Sequence, residues 1–209
     1  SSGVDVIVSF VGNVVIAGDA MAISATDAYC SAVNFAFGAS AGNDDIQLGE
    51  GDNQAAGEAM AIGTGSGDAT AYGSNEAEYG GVAGDDTIVA GGGDDTISGG
   101  AQAVTESGYA DASNYNMAED GSRAGNDVIE ADGGEGAGDD VVAGDAQAIS
   151  DSDSAVSLAV NGDDAIYGGG LVGNDEIQVG GYGEYGDIVA GVSMALAGVD
   201  ATAYGQNTA

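Results

Sequence analysis

The chain has 209 residues, with 40 Gly, no Pro, no Trp and no His, and 35 Asp plus Glu against one Lys or Arg. A formal net charge of −34 excludes nucleic acid as a direct partner, since phosphates would be repelled, and argues against docking on a bare anionic membrane. Without His there is no Ser-His-Asp triad, no H-E-x-x-H and no usual zinc site, so the composition points away from an enzyme.

In chain order, the first recurring element is a turn and short strand of the form G-x-D-x-aliphatic. It starts at Gly3-Asp5-Ile7 and returns at Gly42-Asp44-Ile46, Gly84-Asp86-Ile88, Gly125-Asp127-Ile129 and Gly162-Asp164-Ile166, with an extra instance at Gly173-Asp175-Ile177. A looser second nonapeptide follows each: Gly12-Val14-Ile16, Gly51-Asn53-Ala55, Gly93-Asp95-Ile97, Gly138-Asp140-Val142 and Tyr185-Asp187-Val189. Two of these lack the Asp. Next comes a glycine (Gly18, Gly57, Gly99, Gly144, Gly191) and a strand with Ala four residues on (Ala22, Ala61, Ala103, Ala148, Ala195) and an aliphatic residue five on. Met21, Met60 and Met194 share one position of this strand with Gln102 and Gln147, which predicts a half-buried site. The last piece is D-A-T-A-Y-G at Asp68 and Asp200, D-A-S-N-Y-N at Asp111, and degenerate forms at Asp27 and Asp153. The stretch from Met117 to Ala124, with Arg123, reads as a surface loop.

This alternation of small and larger residues reads as β rather than helix, and recurring Ala implies a narrow interior. The expected fold is all-β: a right-handed parallel β-roll or β-solenoid of five repeats of about 40 residues, starting near residues 3, 42, 84, 125 and 162, in a single domain spanning 1–209. Each repeat is expected to make two coils of about twenty residues, with one wide coil as the competing geometry. Tyr72, Tyr115 and Tyr204 each fall four residues after the repeat Asp and are expected to stack as a ladder.

The best-formed stretch is G-D-D-T-I-V-A-G-G-G-D-D-T-I-S-G from Gly84 to Gly99. It resembles the calcium-binding nonapeptide of repeats-in-toxin (RTX) proteins. Glycines let the turn adopt positive φ and approach an ion closely; backbone carbonyls and one Asp carboxylate are hard oxygen ligands suited to Ca²⁺. The resemblance implies several Ca²⁺ ions between the turns of successive coils. On matching positions the ligands would be Asp5, Asp44, Asp86, Asp95, Asp127, Asp140, Asp164, Asp175 and Asp187, with carbonyls from the turns at Gly42, Gly84, Gly93, Gly125, Gly138, Gly162 and Gly173. The neighbours Asp45, Asp85, Asp94, Asp139 and Asp163 are expected to face water, and Asp68, Asp111 and Asp200 to serve turns.

High charge would ordinarily mean disorder, yet 44% of the residues are hydrophobic and patterned. Carboxylates stacked about 4.8 Å apart repel by roughly 1 kcal/mol per pair in water and roughly 3 at an effective dielectric of 20. A fold conditional on cations reconciles the two. RTX-type sites resemble extracellular modules binding at about 10⁻⁴–10⁻³ M, which implies a place outside the cell or on its surface.

Cys30 stands alone, so it is expected to be a small buried residue, or else to link two chains. No apolar run approaches a membrane span. The chain opens on a nonapeptide pair and closes on the piece that elsewhere precedes one. Head-to-tail contact between copies would therefore continue the repeat and give a filament. The functional expectation is a secreted calcium-binding structural protein of a matrix or surface layer, with an adhesin stalk or calcium-dependent secretion module of a larger surface protein as the alternative. An ice-binding face would need regular Thr rows, and Thr70 and Thr202 are too few.

Overall fold

A computed structural model describes residues 6–8, 13–49, 51–91, 93, 95–119, 121–130, 141–150, 155–164, 171–172, 175–178, 188–197 and 200–208. Among these there is no helix, and the strand pairings are all parallel. Five sheets form, each from equivalent strands of successive copies. Sheet 1 holds the first-nonapeptide strands Val6–Val8, Asp45–Gln47, Thr87–Val89, Val128–Glu130 and Glu176–Gln178. Sheet 2 holds the second set: Val15–Ala17, Gln54–Ala56, Thr96–Ser98, Val141–Ala143 and Ile188–Ala190. Sheet 3 is the alanine strand: Ala20–Ser24, Ala59–Gly63, Ala101–Thr105, Ala146–Ser150 and Ser193–Ala197. Sheet 4 carries the long strands Ala28–Phe37, Ala69–Glu78, Ala110–Glu119, Ala155–Asp164 and Ala201–Thr208. Sheet 5 is a set of two-residue strands, Ser40–Ala41, Val82–Ala83, Arg123–Ala124 and Leu171–Val172.

Every strand therefore bonds to its own counterpart, 39 to 48 residues away in the chain. Parallel stacking of successive copies is consistent with a solenoid. It corrects the expected coil size: the two nonapeptides of a copy lie in different sheets, so a copy makes one wide turn, not two narrow ones. Strand length explains the choice. The five- and ten-residue strands of sheets 3 and 4 find partners of equal length only one full copy away, and that register also stacks like on like inside: Ile46 on Ile88 on Ile129 on Ile177, Ala61 on Ala103 on Ala148.

The same register corrects the phase of the fifth copy. Its first nonapeptide is the one at Asp175, whose Ile177 pairs with Ile129. Gly162 and Asp164 instead lie inside the long strand of the fourth copy, paired with Met117 and Glu119. In a chain this rich in Gly and Asp the short pattern arises by composition, and strand length overrides it. Met117 to Glu119 and Arg123–Ala124 are likewise strand rather than loop. The three tyrosines do not stack as a ladder: Tyr72 and Tyr204 share a row but are separated in it by Ser113 and Leu158, and Tyr115 pairs with Ser74 in another row, because Ala110 rather than Ala112 is the counterpart of Ala69.

Three apolar zones line the inside. Ile46, Leu48, Ala55, Ile88, Ala90, Ile97, Ile129 and Val142 fill the corner of sheets 1 and 2, each large aliphatic side chain contributing about 1.5–3 kcal/mol on burial. Between sheets 3 and 4 the residues are nearly all alanine, with Cys30 among them, free and inward-facing. Ala36, Ala77 and Ala118 meet Ala41, Ala83 and Ala124 at sheet 5. The Met/Gln position is fully buried in the second to fourth copies, not half-buried. Gln102 and Gln147 bend back over the corner, donating to the Thr96 and Val141 carbonyls at 3.2 Å, and Gln102 donates to Gln147 at 2.5 Å.

Sizes compensate between sheets 3 and 4. The residue after the repeat glycine and one inward residue of the long strand read Asp19 with Ala32, Glu58 with Gly73, and Gly100 with Asn114. A Cβ at Gly73 would collide with the Glu58 carboxylate, and one at Gly100 with the Asn114 amide. Gly73→Ala should therefore destabilise the protein by about 1–3 kcal/mol, and adding Glu58→Asp, the first copy's combination, should recover part of that loss; urea unfolding of the single and double variants measures both.

Candidate metal centre

The turns take the backbone shape the glycines permit. Gly42, Gly84 and Gly125 open sheet 1 at φ 56°, 58° and 59°, and Gly51 and Gly93 open sheet 2 at φ 132° and 133°. The aspartates that follow do not point out between turns. Asp44, Asp86 and Asp127 are buried and form an axial ladder. The Asp44 amide donates to Asp86 Oδ1 at 2.8 Å, that of Asp86 to Asp127 Oδ1 at 2.8 Å, and that of Asp127 to Asp175 Oδ1 at 3.1 Å. One oxygen of each carboxylate is thus committed to the neighbouring copy. The Oδ2 atoms of Asp86, Asp127 and Asp175 are buried and accept no hydrogen bond among the described residues. They press against Gly57, Gly99 and Gly144, where a Cβ would collide with Oδ2 and with the carbonyl oxygen of the next repeat glycine.

The second corner shows what such a cradle wants. In the second copy it holds Asn53, whose Nδ2 donates to the carbonyls of Gly49 (3.2 Å) and Gly51 (2.6 Å) and to Asp95 Oδ1 (2.9 Å). Three oxygens converge on one electropositive group. The Asn53 amide also donates to Asp95 Oδ1 at 3.0 Å, repeating the ladder of the first corner.

Two further sets of polar groups went unread in the sequence. One is an asparagine row on sheet 4: Asn34, Asn75, Asn116, Asn161 and Asn207 in register. The other is the acid following the repeat glycine: Asp19, Glu58 and Asp145. Asn34 donates to Asp19 Oδ2 at 2.8 Å and to Asn75 Oδ1 at 3.1 Å. Asn75 donates to Glu58 Oε1 and to Asn116 Oδ1, and Asn116 to Asp145 Oδ1 at 2.7 Å. The signal was present, since Asn stands six residues after the first Ala of every long strand.

Apart from Asp19, which is exposed, these acids make a file of buried carboxylates along the interior. Burial pushes Glu58, Asp86 and Asp127 well above the usual carboxylate range, and neighbouring carboxylates push them further. Asp175 is raised to about 7, chiefly by burial. No protein cation answers them. Arg123, the one Lys or Arg of the chain, is half-exposed and pairs with Asp85 at 2.5 Å. That pairing also corrects the expectation that Asp85 faces water: its side chain is 6% exposed, under Arg123 and Asn126.

Asp127, Asp145 and Asp175 each offer an oxygen within 4.8 Å of the other two. With orphaned Oδ2 atoms and glycine carbonyls beside them, the donor set is all hard oxygen and fits Ca²⁺. The expected ligands Asp5, Gly138, Asp140, Gly173 and Asp187, and the neighbours Asp94 and Asp139, lie outside the described residues. Gly162, Asp164 and the neighbour Asp163 fall on the long strand, in register with Met117, Glu119 and Ala118. Asp68 precedes its strand and accepts the Tyr109 amide at 2.9 Å, whereas Asp111 lies within a strand. No protein-family model, curated protein or solved structure matches the chain.

Two predictions follow from the charges. A carboxyl whose pKa is higher folded than unfolded holds its proton more tightly in the folded state, so its ionisation opposes folding. In EDTA, the urea midpoint should therefore rise as pH is lowered from 8 through about 7, the value for Asp175, towards 5. A flat or falling midpoint would contradict the buried file. Asn53→Asp replaces the shared donor by another acceptor; it should cost about 1–3 kcal/mol without metal, a loss that added calcium reverses in the same assay.

Proposed function

We propose that the chain is a secreted calcium-binding structural protein, a right-handed parallel β-roll or β-solenoid of the RTX kind. In this reading it folds on Ca²⁺ and adds copies head to tail into an extracellular filament, matrix or surface layer. The observation that carries the reading is the file of buried carboxylates with no protein countercharge. An uncompensated buried carboxylate costs several kcal/mol, so several of them in line require protons or metal. Bound Ca²⁺ would supply positive charge to oxygens that already face one another.

The chain's residues do the remainder. Asp86, Asp127 and Asp175 present one oxygen inward while the other is held by the preceding copy's backbone. Gly57, Gly99 and Gly144 keep side chains out of the file. Asn75 and Asn116 fix the orientation of Glu58 and Asp145. Residence outside the cell follows from the weak affinities of such oxygen sites, about 10⁻⁴–10⁻³ M in extracellular modules. Assembly in this reading would extend the parallel pairing by which each sheet stacks equivalent strands of successive copies. The first copy also turns Tyr29, Val33, Phe35 and Phe37 outward and exposed, an apolar row of the kind that marks contact surfaces.

Circular dichroism in EDTA should show the β signal lost, and its return on adding millimolar calcium; sedimentation under the same conditions should show larger species only with calcium. Unchanged β content in EDTA would remove the calcium requirement, and monomers throughout would remove assembly.

A further inference from the structure

We infer that a calcium ion sits inside the repeat stack, between the fourth and fifth copies, held by Asp127 and Asp175 from sheet-1 turns and by Asp145 from the opposite wall. The inference rests on the calcium-binding reading for the identity of the ion and departs from it in location. The resemblance places ions between turns and draws ligands only from nonapeptides. Asp145 is not the aspartate of a G-x-D-x-aliphatic motif; it follows Gly144 and leads into the strand Ala146–Ser150.

Geometry carries the assignment. One oxygen from each of the three carboxylates lies within 4.8 Å of the others. Oxygens ligating one Ca²⁺ at about 2.3–2.6 Å are separated by at most about twice that distance, so a single ion can touch all three. Asp127 is 1% exposed and its Oδ2 accepts no hydrogen bond among the described residues, and Asp175 Oδ2 is likewise buried without one. Their Oδ1 atoms are already taken by the Asp86 and Asp127 amides. Asp145 is fully buried and oriented by Asn116 Nδ2 at 2.7 Å.

Backbone oxygens complete the set. A Cβ at Gly99 would meet both Asp127 Oδ2 and the Gly144 carbonyl; one at Gly144 would meet both Asp175 Oδ2 and the Gly191 carbonyl. Asp127 Oδ2 and Asp175 Oδ2 each thus have a carbonyl oxygen nearby across the repeat glycine. Three carboxylates and two carbonyls make a hard, strongly anionic set suited to Ca²⁺.

The wall residue varies between copies, Asp19, Glu58, Gly100, Asp145 and Val192, so interior sites do not track the nonapeptide count. Asp145→Asn is the direct test. The amide keeps an oxygen for Asn116 and removes one charge. Asp45→Asn, which removes a charge from a residue whose carboxylate is engaged by Gln47, is the control. In full-length protein at dialysis equilibrium against calcium held above the affinity of such sites, about 10⁻³ M, elemental analysis of the protein and buffer compartments should give one bound ion fewer per chain for Asp145→Asn and no change for Asp45→Asn. In EDTA, Asp145→Asn should be no less stable than wild type, because it removes one of three neighbouring like charges.

An unchanged ion count in Asp145→Asn, with wild type binding calcium, would overturn the interior site and leave the calcium reading standing. Wild type that binds no calcium would overturn both. Terbium luminescence lifetimes in H₂O and D₂O, measured on wild type, do not depend on how the variant folds. Five protein oxygens out of the 6–8 such an ion takes leave room for about one to three waters, so one bound population should show that hydration. Terbium hydrated in every site by about five or more waters would also overturn the interior site.

Discussion

A file of carboxylates runs through the otherwise largely apolar interior, negative charge brought out of water with no Lys or Arg beside it among the described residues. Most proteins avoid that arrangement, because an isolated ionised carboxylate in a low-dielectric interior either neutralises or recruits a partner. Here the backbone takes one oxygen of each turn aspartate and leaves the other (Asp86, Asp127 and Asp175) turned into the file. The wide turn, the glycines at the corners and the alanine-lined wall all follow from making room for that file while keeping sheets 3 and 4 close. The apolar content is modest and mostly alanine between those sheets, so hydrophobic burial alone gives the interior little reserve against carboxylate repulsion.

Asparagine is what lets polar groups line an interior without leaving many unsatisfied. Its amide can both donate and accept, so Asn34, Asn75 and Asn116 bond to one another along the axis and still hold an acid to the side. Where the third copy has Gly100 and no acid, Asn116 reaches Asp145 of the next copy instead. Asn114 occupies the vacated volume, with both amide atoms buried and accepting or donating no bond among the described residues. That irregular copy shows the rule: side-chain volume is conserved across the interior even where charge is not.

Much of this was legible. The offset from Asp to aliphatic residue located the sheet-1 and sheet-2 strands and their buried Ile row, and the Ala positions marked the narrow wall. Glycines at turn starts adopt positive φ where Gly42, Gly84 and Gly125 demanded it. The coil size was not legible, because two tandem nonapeptides look alike locally and only the lengths of the two later strands force pairing a full copy apart. The fifth copy was misphased at Gly162 for the same reason: a five-residue pattern carries less information than a ten-residue strand with Asn at a set place. The acids Glu58 and Asp145 were passed over because each follows a glycine outside the motif, and in a chain with 35 acids spacing alone does not separate a buried one from a solvated one.

The ladder has a direction. In each described rung the backbone amide of one copy donates towards the carboxylate of the copy after it, from Asp44 to Asp86 to Asp127 to Asp175. One side of any copy therefore offers amide donors and the other carboxylate acceptors. Two such surfaces match only when the copies point the same way; reversed, acceptors would meet acceptors and repel. The same interaction that stacks repeats within the chain would select head-to-tail over head-to-head contact between chains, which is the orientation that extends without closing. Because each repeat bonds only to its neighbours, stability grows copy by copy, and an interior cation shared by two copies would couple them where backbone pairing alone leaves like charges face to face.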